Sequence, residues 1–211
     1  MLSRQRGYSL IELAIGIGIV GILMAAAIPQ FTQALQNGQM KTATENMVTG
    51  INLARAEALR RNMPVSFYLV SDLTNACALS STGNNWVVAL ANPAGLCAVA
   101  PVDSTDATAP TAADPKIVQK FSGLQSGANA RVFAFLADGA TTSNSATFNG
   151  LGRITGATSI AWLDFKNSTG ACESDVPAGP MRCMRILIST GGQARVCDPK
   201  VSAVTDPRKC P

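Results

Sequence analysis

Between Arg6 and Lys41 the chain carries a single charged residue, Glu12. From Leu13 to Ile28 every residue is uncharged, and Leu10 and Ile11 extend the apolar run upstream. A carboxylate in such a run is expensive inside a bilayer, so it calls for a partner. Cleavage after Gly7 would supply one. Tyr8 would then become a free N-terminus one helical turn from Glu12, about 6 Å along the axis, and amine and carboxylate could neutralise each other within a chain or between neighbours. The second set of reactive groups is six cysteines: Cys77, Cys97, Cys172, Cys183, Cys197 and Cys210. The third is a basic tail, Arg195, Lys200, Arg208 and Lys209, diluted by Asp198 and Asp206. These cations could contact phosphate, and each contact would show as salt dependence.

The chemistry this set excludes is as informative. The chain has no histidine, which removes Ser-His and Cys-His nucleophiles. Without C-x-x-C spacing, a zinc site is not expected either. Asp72, Asp103, Asp106 and Asp114 fall in loops with no spacing that implies a carboxylate pair, and no phosphate-binding glycine motif is present. Neither an enzyme nor a cofactor or metal is expected. The cysteines read instead as disulfides in an oxidising compartment. Their pairing is not fixed by sequence, although local order favours Cys77 with Cys97, Cys172 with Cys183, and Cys197 with Cys210.

Long elements must position these groups. The apolar run has roughly the 20 residues that cross a bilayer as a helix. Pro29 follows it, and from Phe31 to Asn62 the spacing stays helical, with Phe31, Leu35, Ala43, Met47, Ile51, Ala54 and Ala58 as one buried face. Arg60, Arg61, Asn62 and Pro64 mark the end. Arg55, Glu57, Arg60 and Arg61 read as a solvated face with weak ion pairs. After Pro64 the period becomes that of strands: Val65 to Val70, Trp86 to Ala91, Lys116 to Phe121, Arg131 to Ala137, Ala146 to Phe148, Ile160 to Phe165, Met184 to Ser189 and Gln193 to Val196. Asn92 to Pro115 is rich in Ala, Pro, Thr and Asp and reads as a mobile loop. The fold class is α+β: a long N-terminal helix, transmembrane in its first half, packed on a mostly antiparallel sheet of two layers. The segments are 1–7, a leader; 8–28, a membrane helix; 29–63, its amphipathic continuation; and 64–211, a β-rich domain with disulfides.

The net charge is +4, and loss of residues 1–7 would take Arg4 and Arg6 with it and leave +2. Such a product gives no global argument for nucleic acid. Arg4 and Arg6 precede the apolar run and leave the N-terminus cytoplasmic by the positive-inside rule. Ala25-Ala26-Ala27 is a small-residue site of the kind that ends a secretory signal peptide. Glu12 and the helix that continues past that site argue against this alternative.

Gly7-Tyr8-Ser9-Leu10-Ile11-Glu12 behind a short basic leader, with the apolar stretch ending at Ala27-Ile28-Pro29, resembles the N-terminus of type IV prepilins and of the pseudopilins of type II secretion. The resemblance implies that a prepilin peptidase cuts after Gly7 and that Tyr8, where phenylalanine is usual, is N-methylated. It also implies that Glu12 pairs with a neighbour's amine during assembly. Leu53 to Val65 and the tail from Gly191 to Cys210 are similar to the FimT, FimU and GspH group of minor pilins and pseudopilins. The implied fold is the pilin fold. The implied partners are other major and minor pilins through the N-terminal helix, the prepilin peptidase and an inner-membrane assembly platform. The implied location is a single-pass inner-membrane protein that later joins a periplasmic or cell-surface filament. A minor pilin of a type IV pilus that primes or caps the fibre is the first reading; a GspH-like pseudopilin is the second. FimT-like members can bind DNA through a Gly-Arg-x-Arg motif. Gly192, Gln193, Ala194 and Arg195 stand there, so one arginine is missing.

Overall fold

The structure, a computed structural model, describes residues 9–103, 106, 108–127, 129–168 and 170–211. It divides into two units, Met1–Leu35 and Gln36–Pro211. Helix α1, Leu10–Arg61, contributes to both. In the first unit, the α1 side chains of Leu10, Ile11, Leu13, Ile15, Ile17, Ile19, Ile22 and Leu23 are all exposed.

The second unit builds its core on the remainder of α1. Met40, Ala43, Met47, Ile51, Ala54 and Ala58 recur every three or four residues and are at most 3% exposed, the stripe a helix presents to a packed layer. Phe31 and Leu35, expected on this face, are 65% and 53% exposed. They continue the apolar surface of the first unit, and the buried stripe begins only at Met40.

Two antiparallel sheets enclose that stripe. The first, in the order β3-β2-β1-β5-β6, contains β1 (Val65–Val70), β2 (Asn85–Ala89), β3 (Ile117–Phe121), β5 (Ser145–Phe148) and β6 (Ile154–Thr155). The second, β4-β7-β8-β9, contains β4 (Ala130–Phe135), β7 (Trp162–Asn167), β8 (Met184–Ile188) and β9 (Ala194–Cys197). Strand alternation supplies the inward residues: Val65, Phe67 and Leu69 from β1, Val132 and Ala134 from β4, Leu163 and Phe165 from β7, Ile186 and Ile188 from β8. The central strands of the first sheet are buried on both faces. Val70, Val87, Ala89 and Ile117 form a second cluster with Cys77 and Cys97.

Two expectations are corrected by the packing around the end of α1 and the first sheet. The segment from Asn92 to Pro115 is tied down where it is described. Cys97 is disulfide-bonded to Cys77, Val102 N–H donates to Ile117 O at 2.7 Å, and the Lys116 ammonium lies 3.1 Å and 2.9 Å from the Asp106 and Asp114 carboxylates. Glu57 and Arg61 are not solvated either, their side chains being 10% and 6% exposed and 2.8 Å apart. Arg60 donates to Glu57 as well, while Arg55 Nε donates to Gly152 O at 3.1 Å. Arg55 and Arg61 bond loops brought in from distant sequence, Gly152 O and Asp106 O, which helical spacing alone does not reveal, whereas Arg60 stays exposed as expected, its side chain 44% accessible. The helix ends at Asn62, whose φ of 49° is left-handed, and Met63 N–H reaches back to Ala58 O as in a Schellman cap.

The helix comes close to the first sheet at Gly50, where an added Cβ would lie 2.9 Å from the Trp86 ring and 3.0 Å from Phe67. Gly50→Val is therefore expected to destabilise the fold by about 1–3 kcal/mol through overpacking, read as a lower midpoint in thermal unfolding. The hydrogen bonds from Arg60, followed by those from Arg61, hold the Glu57 carboxyl below the usual carboxylate range. A depressed folded pKa contributes stability above the unfolded value of about 4.3 and loses it as pH falls through the folded value. Glu57→Gln should flatten the dependence of the melting temperature on pH below about 4.5; parallel curves for the two proteins would contradict the assignment.

Candidate functional site

Gly7 and Tyr8 lie outside the described residues. At the head of α1, Ser9 and Glu12 satisfy each other: Ser9 N–H donates to Glu12 Oε2 at 3.0 Å, and Glu12 N–H donates to Ser9 Oγ at 3.2 Å. This is a reciprocal capping box, in which two otherwise orphaned amides of the first turn are paired. Leu13 N–H adds a bond to Ser9 O. Sequence reasoning missed Ser9, although Ser-x-x-Glu before an apolar run is a readable signal for it.

Below the cap, α1 is long and apolar enough to cross a membrane. Glu12, Leu13, Gly16, Ile17 and Val20 share one face and line a shallow groove of about 410 Å³. A Cβ added at Gly16 would meet nothing within 4 Å. A small residue flanked by aliphatic ones lets another helix approach closely, with the carboxylate at the rim.

The tail forms a second candidate surface. Cys197 and Cys210 are bonded, as are Cys77 with Cys97 across β2 and Cys172 with Cys183, so each cysteine pairs with its neighbour in sequence. Asp198 N–H donates to Arg208 O at 2.7 Å across the loop closed by Cys197 and Cys210. Of the four basic residues singled out here, two are already paired: Arg208 lies 2.7 Å from Asp206 and Lys200 lies 2.6 Å from Glu173. The donated Arg208 hydrogen bonds hold the Asp206 carboxyl down at about 2. Arg195 reaches only the Lys209 carbonyl, at 3.4 Å. Among the described residues neither Arg195 nor Lys209 has a carboxylate partner, which leaves two uncompensated cations where phosphate binding wants several.

Two features of this unit were not read from sequence. A cleft of about 560 Å³ runs between α1 and the tail, lined by Lys41, Glu45, Arg182, Met184, Val196 and Asp198 among others. On the second sheet, the Arg185 guanidinium pairs with Asp164 and stacks 4.5 Å above Trp162. Asp164 and Arg185 face each other across β7 and β8, so only the strand register reveals the pair. Among the described residues no cluster could hold a metal ion.

Comparison with known proteins finds a match over residues 43–192 to the family described as type II transport protein GspH. A second match, to the prokaryotic N-terminal methylation motif, covers residues 2–28. Similar curated proteins include type IV major fimbrial proteins FimA of Dichelobacter nodosus. One is 43% identical over 58 residues, 23% of this chain and 37% of that protein; another is 44% identical over 55 residues, 21% and 35%. The chain thus spans just over a third of the length of those relatives. Among solved structures, two crystal forms of the type IV minor pilin FimU of Pseudomonas aeruginosa are similar. They give TM-scores of 0.42 and 0.38 at 14% and 15% identity, covering 78% of this chain and 92% and 97% of theirs.

Ser9→Ala removes the cap and should cost the first turn about 1 kcal/mol, seen as roughly fivefold faster amide exchange over the first turn of the chain in detergent micelles. Ser9→Asp should restore protection. Unchanged exchange in the alanine variant would contradict the capping role.

Proposed function

The chain belongs to the GspH family, type IV pilin-like proteins of the minor pilin and pseudopilin class that are structural and not enzymes, and on that premise we propose that it is a minor pilin of a type IV pilus. The observation that carries the reading is the uncharged, exposed first half of α1 with one carboxylate at its head, joined to a methylation motif over residues 2–28. Residues 1–7 are a leader that prepilin peptidase removes after Gly7, and Tyr8 is N-methylated. Residues 8–28 hold the subunit in the inner membrane with the N-terminus cytoplasmic. Residues 29–63 continue the helix into the β-rich part, residues 64–211, on the far side.

On assembly at an inner-membrane platform, the apolar face of α1 buries against the helices of other major and minor pilins. Glu12 then meets the amine of a neighbour's Tyr8. A subunit in the wrong axial register would bury an unpaired carboxylate, which is strongly unfavourable, so the pair sets register as the subunit primes or caps the fibre. A second reading, a pseudopilin of type II secretion, is favoured by the family description itself, and the same helix chemistry serves it. DNA uptake is the weakest reading, because Lys200 and Arg208 are neutralised by Glu173 and Asp206.

Mass spectrometry of the mature protein is expected to find N-methylated Tyr8 at the N-terminus; a start at Met1 or Ile28 would overturn the reading. Glu12→Leu should lower incorporation into filaments about tenfold or more, given the cost of a misplaced charge. Incorporation equal to wild type would remove the carboxylate's role. Loss of surface pili rather than of protein export on deletion separates the first reading from the second.

A further inference from the structure

Sheet edges expose unpaired backbone groups, and three of the four edges here are occupied. Ser81 to Gly83 pair along β4, with Ala134 N–H donating to Ser81 O and Gly83 N–H to Val132 O. Ile154 of β6 donates to Thr190 O, and Val102 donates to Ile117 O on β3, beside a turn whose three carbonyls Lys120 Nζ holds. The fourth edge, β9, is touched by the tail through its side chains, in the Cys197–Cys210 disulfide and the Arg195 bond to Lys209 O, while the described backbone bond to the tail falls past its end, at Asp198. Ser189 N–H donates to Gln193 O across the β8–β9 turn, and ladder alternation then turns the N–H and C=O of Ala194 and Val196 away from β8.

Two clefts of this unit flank that strand. Val196, 40% exposed, lines the cleft of about 560 Å³ together with Met184 and the Cys197 disulfide. Arg195 lines another of about 410 Å³, with Trp162, Ser189, Gln193 and, from the tail, Pro211. An open edge with side-chain recesses to either side is the arrangement that captures an extended peptide as an added strand. Among the described residues Arg195 has no carboxylate partner and reaches only the Lys209 carbonyl, so the second cleft presents a cation that suits an acid.

We propose that β9 is a docking edge for an extended segment of another subunit, which places an acidic side chain against Arg195 and apolar side chains against Val196. The inference rests on the subunit reading above for the source of the segment, but a failed docking test would leave the processing of Tyr8 untouched. A nucleic acid is disfavoured as occupant because two cations beside an open backbone edge suit a peptide better than a phosphate chain.

The test uses the full-length mature chain in detergent micelles and a blocked pentapeptide with glutamate between two valines. Binding should slow amide exchange at Ala194 and Val196 about tenfold and shift the tryptophan fluorescence. A peptide with lysine in place of glutamate should bind about tenfold more weakly, and Arg195→Glu should reverse that preference. Val196→Pro should abolish binding with an unchanged melting temperature, since the lost N–H faces away from β8. If that variant does not fold, the charge reversal still decides. Equal affinity for the two peptides, no protection at Ala194 and Val196, or protection by duplex DNA but not by peptide would each overturn the proposal.

Discussion

A carboxylate on an apolar helix has to be satisfied, and the rest of this molecule is arranged around that requirement. On insertion scales an acid at the centre of a membrane helix costs about 2.5–3.5 kcal/mol. Within one chain, Glu12 spends one oxygen on the Ser9 amide at 3.0 Å, which stabilises the helix start and partly compensates the charge. The remaining lone pairs are what an α-amine from a neighbouring subunit is proposed to fill. The groove over Gly16 beside it suits the same arrangement, since a second backbone can come close there.

Farther along, one helix serves two opposite ends. The large apolar side chains described up to Leu35 are exposed, and from Met40 to Ala58 the inward ones are covered by two sheets. Gly50 permits the approach to Trp86, and the Glu57 clasp with Arg60 and Arg61 fixes the end where the chain turns into β1. Three disulfides then close segments of the second unit, the Cys77–Cys97 bridge lying within the second apolar cluster. The core of the second unit thus does not draw on the exposed part of the helix.

Much of this was readable because periodicity is local. β1 has the bounds its alternation predicts, Val65–Val70, and the other expected strands differ by one or two residues at their ends. β6, two residues long, is too short to leave a pattern. The exposure of Phe31 and Leu35 was misjudged because helical spacing identifies a face without saying what covers it. Glu57 and Arg61 were misjudged for the converse reason, since their cover comes from loops remote in sequence. At the site, Glu12 stood out by its charge, whereas Ser9 was passed over in favour of the cleavage motif. The pairing of Lys200 with Glu173 and of Arg185 with Asp164 depends on strand register and tail path, which composition does not encode.

The most direct measurement is the structure of the assembled filament at a resolution that places side chains around Glu12. The account predicts the Glu12 carboxylate within about 4 Å of a neighbouring subunit's N-terminal amine, the range of an ion pair. A carboxylate turned to lipid or solvent, bonded to its own Ser9 alone with no amine in reach, would contradict it.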